Sequence, residues 1–320
     1  MKVLVTGANG FIGRHVVPVL RTAGIAARIA VRAPVRESGV EAVCIPDLGP
    51  ETDWSSAVAG QDAVLHLAAR AHVRQENMRD PDREYMLQNC HGTLSLARQA
   101  FDAGVRRFVF VSSAGVGGST GIGRPISELD PSRPSTPYAR SKLAAEIGLQ
   151  ALAERANAEH VIVRPALVHG PGVPGNLQRL MALIAQGMPL PFGLVRNRRS
   201  LVGVQNLADL LHVCLISERA VGRVYYAVDD GSISTPDIIR ALAHGIGRPA
   251  RLVPMPRWVL SGGAVALGRR MMYQQLCGDL EYDGIRARTE LSFRPRLSMS
   301  AGLSLTGRTF VARAESAAHV

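Results

Sequence analysis

The chain has 320 residues, 47% of them apolar and 20% charged, a composition that suits a globular protein with one large domain or two coupled ones. The formal net charge is +11, but the arginines are scattered and no nucleic-acid module motif accompanies them, so a nucleic-acid partner is not expected and the charge instead favours small anionic ligands. Four well-separated cysteines (Cys44, Cys90, Cys214, Cys277) form neither a disulfide framework nor a C-x-x-C site, and no apolar run reaches the ~18 residues of a membrane span or the form of a signal peptide, so a reducing, cytoplasmic setting is expected.

Lys2–Thr6 is an apolar run that ends in glycines and reads as a buried strand. Phe11–Ala23 reads as a helix stopped by Gly24, with Pro18 predicting a kink. Between them lies Gly7-Ala8-Asn9-Gly10-Phe11-Ile12-Gly13. Glycines between a strand and a helix let the backbone turn tightly and bring N–H groups and the helix N-terminus against a pyrophosphate. A dinucleotide cradle is therefore expected, with Gly7, Gly10, Phe11, Ile12 and Gly13 as its residues.

Ile25–Arg32 is the second strand and Val40–Ile45 the third. An acid at the end of the second strand selects NAD through the ribose 2′-OH. Val31-Arg32 stands there instead, and Arg32 with Arg36 suits a 2′-phosphate. NADP(H) is thus expected ahead of NAD(H). Asp47, after the third strand, is a candidate acceptor for the adenine amino group. Asp62–Ala69 is a fourth strand, Asp82–Ala103 a long helix closed by Gly104, and Arg107–Ser112 a fifth strand.

A loop rich in Gly, Pro, Ser and Thr follows, from Ala114 to Ser135; unstructured loops of that length are usually functional or mobile. Thr136 caps the next helix with Pro137 at its first position. That helix carries Tyr138 and, one turn on, Lys142, in a chain with only two lysines, Lys2 and Lys142. An adjacent ammonium favours the phenolate and so is expected to lower the tyrosine pKa. Ser113 can orient a carbonyl oxygen while Tyr138 gives it a proton and a nicotinamide gives hydride to the carbon. Ser113, Tyr138 and Lys142 are the candidate catalytic group. His66 reads as a satisfied strand-end histidine, and the histidines have no metal-ligand spacing, so no metal is expected.

His160–Pro165 is a sixth strand. The alternation of strand and helix argues an α/β fold with a doubly wound parallel (Rossmann) sheet. After Leu167 the rhythm loosens into helical segments near 176–186, 205–217, 235–244 and 256–269. These predict a smaller, mostly helical substrate-binding region over the carboxyl edge of the sheet. The expected division is 1–167 with 200–228 for the dinucleotide domain, 168–199 with 229–311 for the substrate region, and a frayed tail over 312–320. Trp258–Leu267 is nearly all apolar; burial against the core is expected over a role at a membrane surface.

Taken in order, GANGFIG, His66-Leu-Ala-Ala69, Asn89-x-x-Gly92-Thr93, Ser112-Ser113, Tyr138-x-x-x-Lys142 and Arg164-Pro165…Gly170-Pro171-Gly172 resemble the extended short-chain dehydrogenase/reductases, the nucleotide-sugar epimerase and dehydratase group. The resemblance spans nearly the whole chain. It implies that Leu48, Leu67, Ala68, Ala69 and Pro165 line the cofactor groove beside Tyr138 and Lys142, and that Asn89 supports a catalytic water network. It implies a UDP-sugar substrate, with Ser113 at the sugar and Asn176 and Arg199 at the pyrophosphate. His169 stands where the family usually has Tyr, and a second arginine expected near Gln274-Gln275 is missing. The family also implies a homodimer paired through the helices over 82–103 and 136–156.

Family dehydratases carry Thr-Asp-Glu where this chain has Ser113-Ala114-Gly115. Without carboxylates there, loss of water has no catalyst. Reduction of a keto sugar or epimerisation remains. The segment Arg196–Gly203 followed by Asn206-Leu-Ala-Asp209 looks like the subgroup that reduces the C4 keto group of UDP-4-keto-6-deoxy-N-acetylglucosamine, giving UDP-N-acetylquinovosamine for bacterial surface polysaccharide (O-antigen). Four-epimerases more often have Arg-Asp where this chain has Arg199-Ser200. Reduction by NADPH is the expected reaction, with a UDP-hexose 4-epimerase using tightly bound NAD as the alternative. Some relatives are non-catalytic NADPH sensors, but these tend to lose the Tyr or the Lys, and both are kept here.

Overall fold

The structure is a computed structural model describing residues 1–33, 40–71, 80–268 and 270–318. Arg36 lies outside the described residues. Seven strands form one parallel sheet in the order β3-β2-β1-β4-β5-β6-β9: β1 is Lys2–Thr6, β2 Ala26–Val31, β3 Glu41–Cys44, β4 Ala63–His66, β5 Arg107–Val111, β6 Glu159–Pro165 and β9 Arg223–Ala227. Val5 pairs with Ile29 on one side and Leu65 on the other. The chain leaves β1 toward β2 and β3, then returns across it to β4. This reversal opens a crevice at the carboxyl ends of β1 and β4, where α/β sheets bind ligands.

Helices cover both faces of the sheet, so β4 and β5 are buried along their whole length and read as continuous apolar runs. The period of two sends Val3 and Val5 to one face and Leu4 to the other. On the first face these valines pack with Val16 and Leu20 of α1 (Gly13–Thr22) and with Leu207 and Leu211, which lie within residues 204–216. On the second, Leu4, Phe108 and Phe110 pack with α2 (Ser55–Val58) and with Ala97 and Leu149 of two further helices. Each such fully buried large side chain contributes about 1.5–3 kcal/mol.

The helix expected over 82–103 has three parts: α3 (Pro81–Tyr85), a π-helical stretch over Met86–Gly92, and α4 (Thr93–Asp102). Widened turns of this kind are frequent at functional sites. Next comes α5 (Pro137–Arg155), capped as expected by the Thr136 hydroxyl, which accepts from the Ala139 N–H at 3.1 Å.

Beyond Leu167, β7 (Leu167–His169) and β8 (Leu201–Gly203) form a separate parallel pair. Around them lie α6 (Asn176–Ala185), α7 (Val204–Ile216), α8 (Thr235–Ile246), α9 (Arg257–Ala266), α10 (Arg270–Cys277), α11 (Ile285–Glu290) and α12 (Met299–Ala318). α12 extends into the stretch expected to be frayed. It packs against α8 so closely that a Cβ on Gly245 would strike the Ser304 carbonyl, and one on Gly307 the Leu242 carbonyl. The expectation for Trp258–Leu267 is corrected: α9 has no buried residue, and Trp258 is 77% exposed. The helix packs chiefly against the neighbouring short helix α10.

Candidate active site

The first turn after β1 lies at the crevice. Gly7 has φ +71°, in the left-handed region, and a Cβ there would stand 2.7 Å from the Ala68 nitrogen. A Cβ on Gly13 would collide with the Gly7 carbonyl and the Ala8 backbone. The turn is closed by the Gly10 N–H donating to the Gly7 carbonyl at 2.9 Å. α1 begins with no side-chain cap and no acid in its first turn. Among the described residues, no protein acceptor meets the N–H groups of Phe11 and Ile12. A cradle that side chains would fill, with free donors at a helix N-terminus, fits a dinucleotide's pyrophosphate. Leu67, Ala68 and Ala69 are half-buried across the crevice.

A buried chain of hydrogen bonds fixes these strand ends. His66 Nδ1 meets the Thr6 hydroxyl at 2.7 Å, and its Nε2 meets the Thr93 hydroxyl at 2.9 Å. Thr93 in turn donates to the Asn89 carbonyl at 2.7 Å. Burial first, and then the Lys142 charge, push the His66 pKa down to about 3. His66 is thus a neutral, satisfied strut. The Asn89 side chain accepts from the Arg70 N–H at 2.8 Å and donates to the Arg70 carbonyl and the Ser141 hydroxyl. It is fully buried, and these bonds tie the Leu67–Arg70 segment to α5.

Tyr138 stands in the first turn of α5, half-buried, with its ring edge-on to Tyr85 at 5.9 Å between centroids. Lys142 is buried; its Nζ donates to the Val111 carbonyl at 2.8 Å and lies 4.3 Å from the Phe110 ring centroid. Here the structure departs from expectation. Burial, then the neighbouring Tyr85, raises the Tyr138 pKa to about 12, while burial lowers that of Lys142 to about 7. The lysine is committed to a carbonyl, and burial governs the phenol. In the protein alone Tyr138 is a firmly protonated phenol.

Ser113 ends the β5 turn, its hydroxyl accepting from the Gly115 N–H at 3.2 Å. Gly115 stands between Ser113 and α5, since a Cβ on it would meet Ser113 Oγ at 3.4 Å and Ala139 Cβ at 3.7 Å. Ser113 and the turn bearing Tyr138 therefore flank one glycine. The adjacent Ser112 hydroxyl is buried without a partner.

Sequence reasoning passed over two groups. Glu146, one turn beyond Lys142, forms a buried ion pair with Arg164 of β6 at 2.6 Å and pulls the Lys142 pKa upward against burial. The available signal was its place four residues after Lys142, on the same helix face. Tyr85 is the other, and its contact across two helices left no local trace.

Of the arginines at 196–199, Arg196 and Arg198 are exposed, the latter paired with Glu281. Arg199 is turned inward, donating to the Gly278 carbonyl at 3.2 Å, and burial lowers its pKa. No carboxylate pairs with it among the described residues, which leaves donors free for an anion. Arg32 is exposed at the end of β2, also without a carboxylate partner among the described residues, while Asp47 is exposed and its carboxylate accepts from the Leu48 N–H at 2.7 Å. Leu48 packs beside Gly92 of the π-helical stretch. Pro165 is the last residue of β6, and Asn176 is exposed at the first position of α6. His169 is buried, its Nδ1 3.4 Å from the Thr306 hydroxyl and its Nε2 3.4 Å from the Asp229 carboxylate without a hydrogen bond to it; that carboxylate accepts from the Gly203 N–H and the Asn206 amide.

Residues 3–226 match the family profile described as NAD dependent epimerase/dehydratase family. A UDP-glucose 4-epimerase of Vibrio cholerae is 35% identical over 313 residues, covering 97% of this chain and 95% of the relative. A farnesyl-dihydroquinoline-oxide ketoreductase of Stigmatella aurantiaca is 26% identical over 329 residues, covering 95% of each chain. Among solved structures, MoeE5 in complex with UDP-glucuronic acid and NAD superposes with a TM-score of 0.78 at 27% identity, covering 98% of this chain and 100% of that one.

Proposed function

The chain belongs to the NAD dependent epimerase/dehydratase family and is an enzyme that uses a nicotinamide dinucleotide; from that premise we propose that it reduces the C4 keto group of a UDP-4-keto-6-deoxy-N-acetylhexosamine with NADPH. The observation that carries this reading is Arg32, a guanidinium without a carboxylate partner among the described residues, where an NAD enzyme of this fold would place an acid. Ser113-Ala114-Gly115 supports it, since no carboxylate stands at the serine step to catalyse dehydration.

The cradle from Gly7 to Gly13, with Leu67, Ala68, Ala69 and Pro165, would hold the dinucleotide, which when bound supplies hydride for the keto carbon. Tyr138 gives its phenolic proton to the keto oxygen, and a phenol kept protonated at neutral pH is the form this step consumes. Ser113 donates a hydrogen bond to the same oxygen and orients it. Lys142, tied to Val111, fixes the turn that carries Tyr138 and holds a proton beside it. Arg199 and Asn176 take the UDP pyrophosphate. The new hydroxyl keeps the transferred proton, and solvent restores that of Tyr138.

One observation favours a second reading: the Vibrio cholerae relative, 35% identical nearly end to end, is named a UDP-glucose 4-epimerase. An epimerase oxidises C4 and re-reduces it without net cofactor use. The test is a panel of UDP-sugars and UDP-4-keto sugars assayed with NADPH and with NADH, followed by the stereochemistry of the product. Stoichiometric NADPH oxidation by a UDP-4-keto sugar is expected. Purification with retained NAD, and UDP-hexose interconversion without added cofactor, would instead establish the epimerase. This reading includes a homodimer through the faces of α4 and α5, where Ile147 is 60% exposed; equilibrium sedimentation reads it directly.

A further inference from the structure

Between Asp237 and Asp279 the sequence contains no aspartate or glutamate but six arginines: Arg240, Arg248, Arg251, Arg257, Arg269 and Arg270. Arg240 is paired with Asp237. Arg251 and Arg257 donate to the carbonyls of Gly187 and Cys277, and among the described residues no carboxylate neutralises Arg248, Arg251, Arg257 or Arg270. The same stretch holds several exposed apolar side chains. Trp258 is 77% exposed and Val265, one heptad on along the same face of α9, 60%. Leu267 in the turn is 72% exposed, and Met271 and Met272 at the start of α10 are 59% and 46%. Scattered exposed hydrophobes need no cause, but five on two helices that pack against each other, counting the turn between them, mark an interaction surface.

We infer that α9 and α10 seat this protein on an anionic lipid bilayer, with Trp258, Val265, Leu267 and Met271 in the headgroup boundary and the arginines on lipid phosphates. Charge selects this occupant. A helical hairpin with exposed apolar side chains, Arg257 and Arg270 on its own helices and no acid in the sequence between Asp237 and Asp279 complements a negatively charged interface. The +11 balance of the chain adds long-range attraction. The helices, of 10 and 8 residues, are too short to cross a bilayer, so they lie in its surface.

The full chain is mixed with extruded vesicles of phosphatidylcholine, with or without about one-third phosphatidylglycerol, and sedimented. Binding to the anionic vesicles is expected, weakening as salt screens the attraction. Trp54 is only 2% exposed, so a blue shift of tryptophan emission on binding reports Trp258. The double substitution Trp258→Glu, Leu267→Glu should weaken partitioning about tenfold or more, and Arg270→Gln about fivefold. Both variants should retain dinucleotide binding as the control for folding. Equal sedimentation with both vesicle types, or undiminished binding by the double variant, overturns the inference. So does lipid-free self-association that the double variant abolishes, which would assign the face to a second copy of the chain.

Discussion

The ammonium of Lys142 donates to the carbonyl oxygen of Val111 at 2.8 Å, which fastens the helix of Tyr138 to the end of the strand that leads into Ser113. The lysine thus acts first through geometry, holding the first turn of α5 and the Ser113 hydroxyl on either side of Gly115. Tyr138→Phe removes only the proton donor, so turnover should fall by about 10²–10⁴ while dinucleotide binding, read by fluorescence titration, persists. Lys142 titrates near 7 in the protein alone and is an ammonium below that. The kcat/KM for NADPH, which reports free enzyme, should therefore decline as pH rises through about 7, and Lys142→Met should lose this limb together with most of its activity.

Arg32 governs the choice of dinucleotide in the proposed reading. Charge-assisted hydrogen bonds to a 2′-phosphate contribute about 1.5–3 kcal/mol. Arg32→Asp should lower kcat/KM with NADPH by about 10–100-fold and leave NADH unchanged or improved. An unaltered NADPH-to-NADH ratio would remove Arg32 from the cofactor site.

Arg199 keeps donors free at its inward position. Its substitution by Gln should raise the KM for the UDP-sugar about 10–100-fold with a smaller change in kcat, because the pyrophosphate is bound alike in ground and transition states. Steady-state kinetics separates the two parameters.

His66 makes an acid-stability prediction. Its pKa is about 3 in the folded protein and about 6.5 in an unfolded chain. As pH falls from 6.5 toward 3, the unfolded state takes a proton that the folded state refuses, so stability is lost. The loss by pH ~4 is on the order of 3 kcal/mol. Urea midpoints should drop with acidification in the parent protein. In His66→Gln, already weaker at neutral pH by about 1–3 kcal/mol through broken hydrogen bonds, they should drop less.

The sheet was legible because its strands are buried on both faces, so Val3–Val5 and Phe108–Val111 declare themselves as apolar runs. Gly7 and Gly13 were legible because their backbone approaches tolerate no side chain. β7 and β8 are only three residues each and pair across a long separation, which leaves no local pattern. The exposure of α9 was misjudged because an apolar segment has the same sequence whether it faces a core or a surface. The protonation of Tyr138 was misjudged because sequence spacing gives the neighbour, Lys142, but neither its bond to Val111 nor the shared burial that dominates both groups.

The π-helical stretch over Met86–Gly92 has a corollary for how this chain tolerates length changes. A widened turn holds one residue more than a regular helix would. Deleting a single residue there would return the turn to standard winding while the helical turns on either side kept their relative phase. Removal of Cys90 or His91 would tighten the backbone directly after Asn89, whose amide clamps the Arg70 backbone. A shortened variant would thus gain helical regularity at the expense of the fit between Asn89 and the Arg70 backbone.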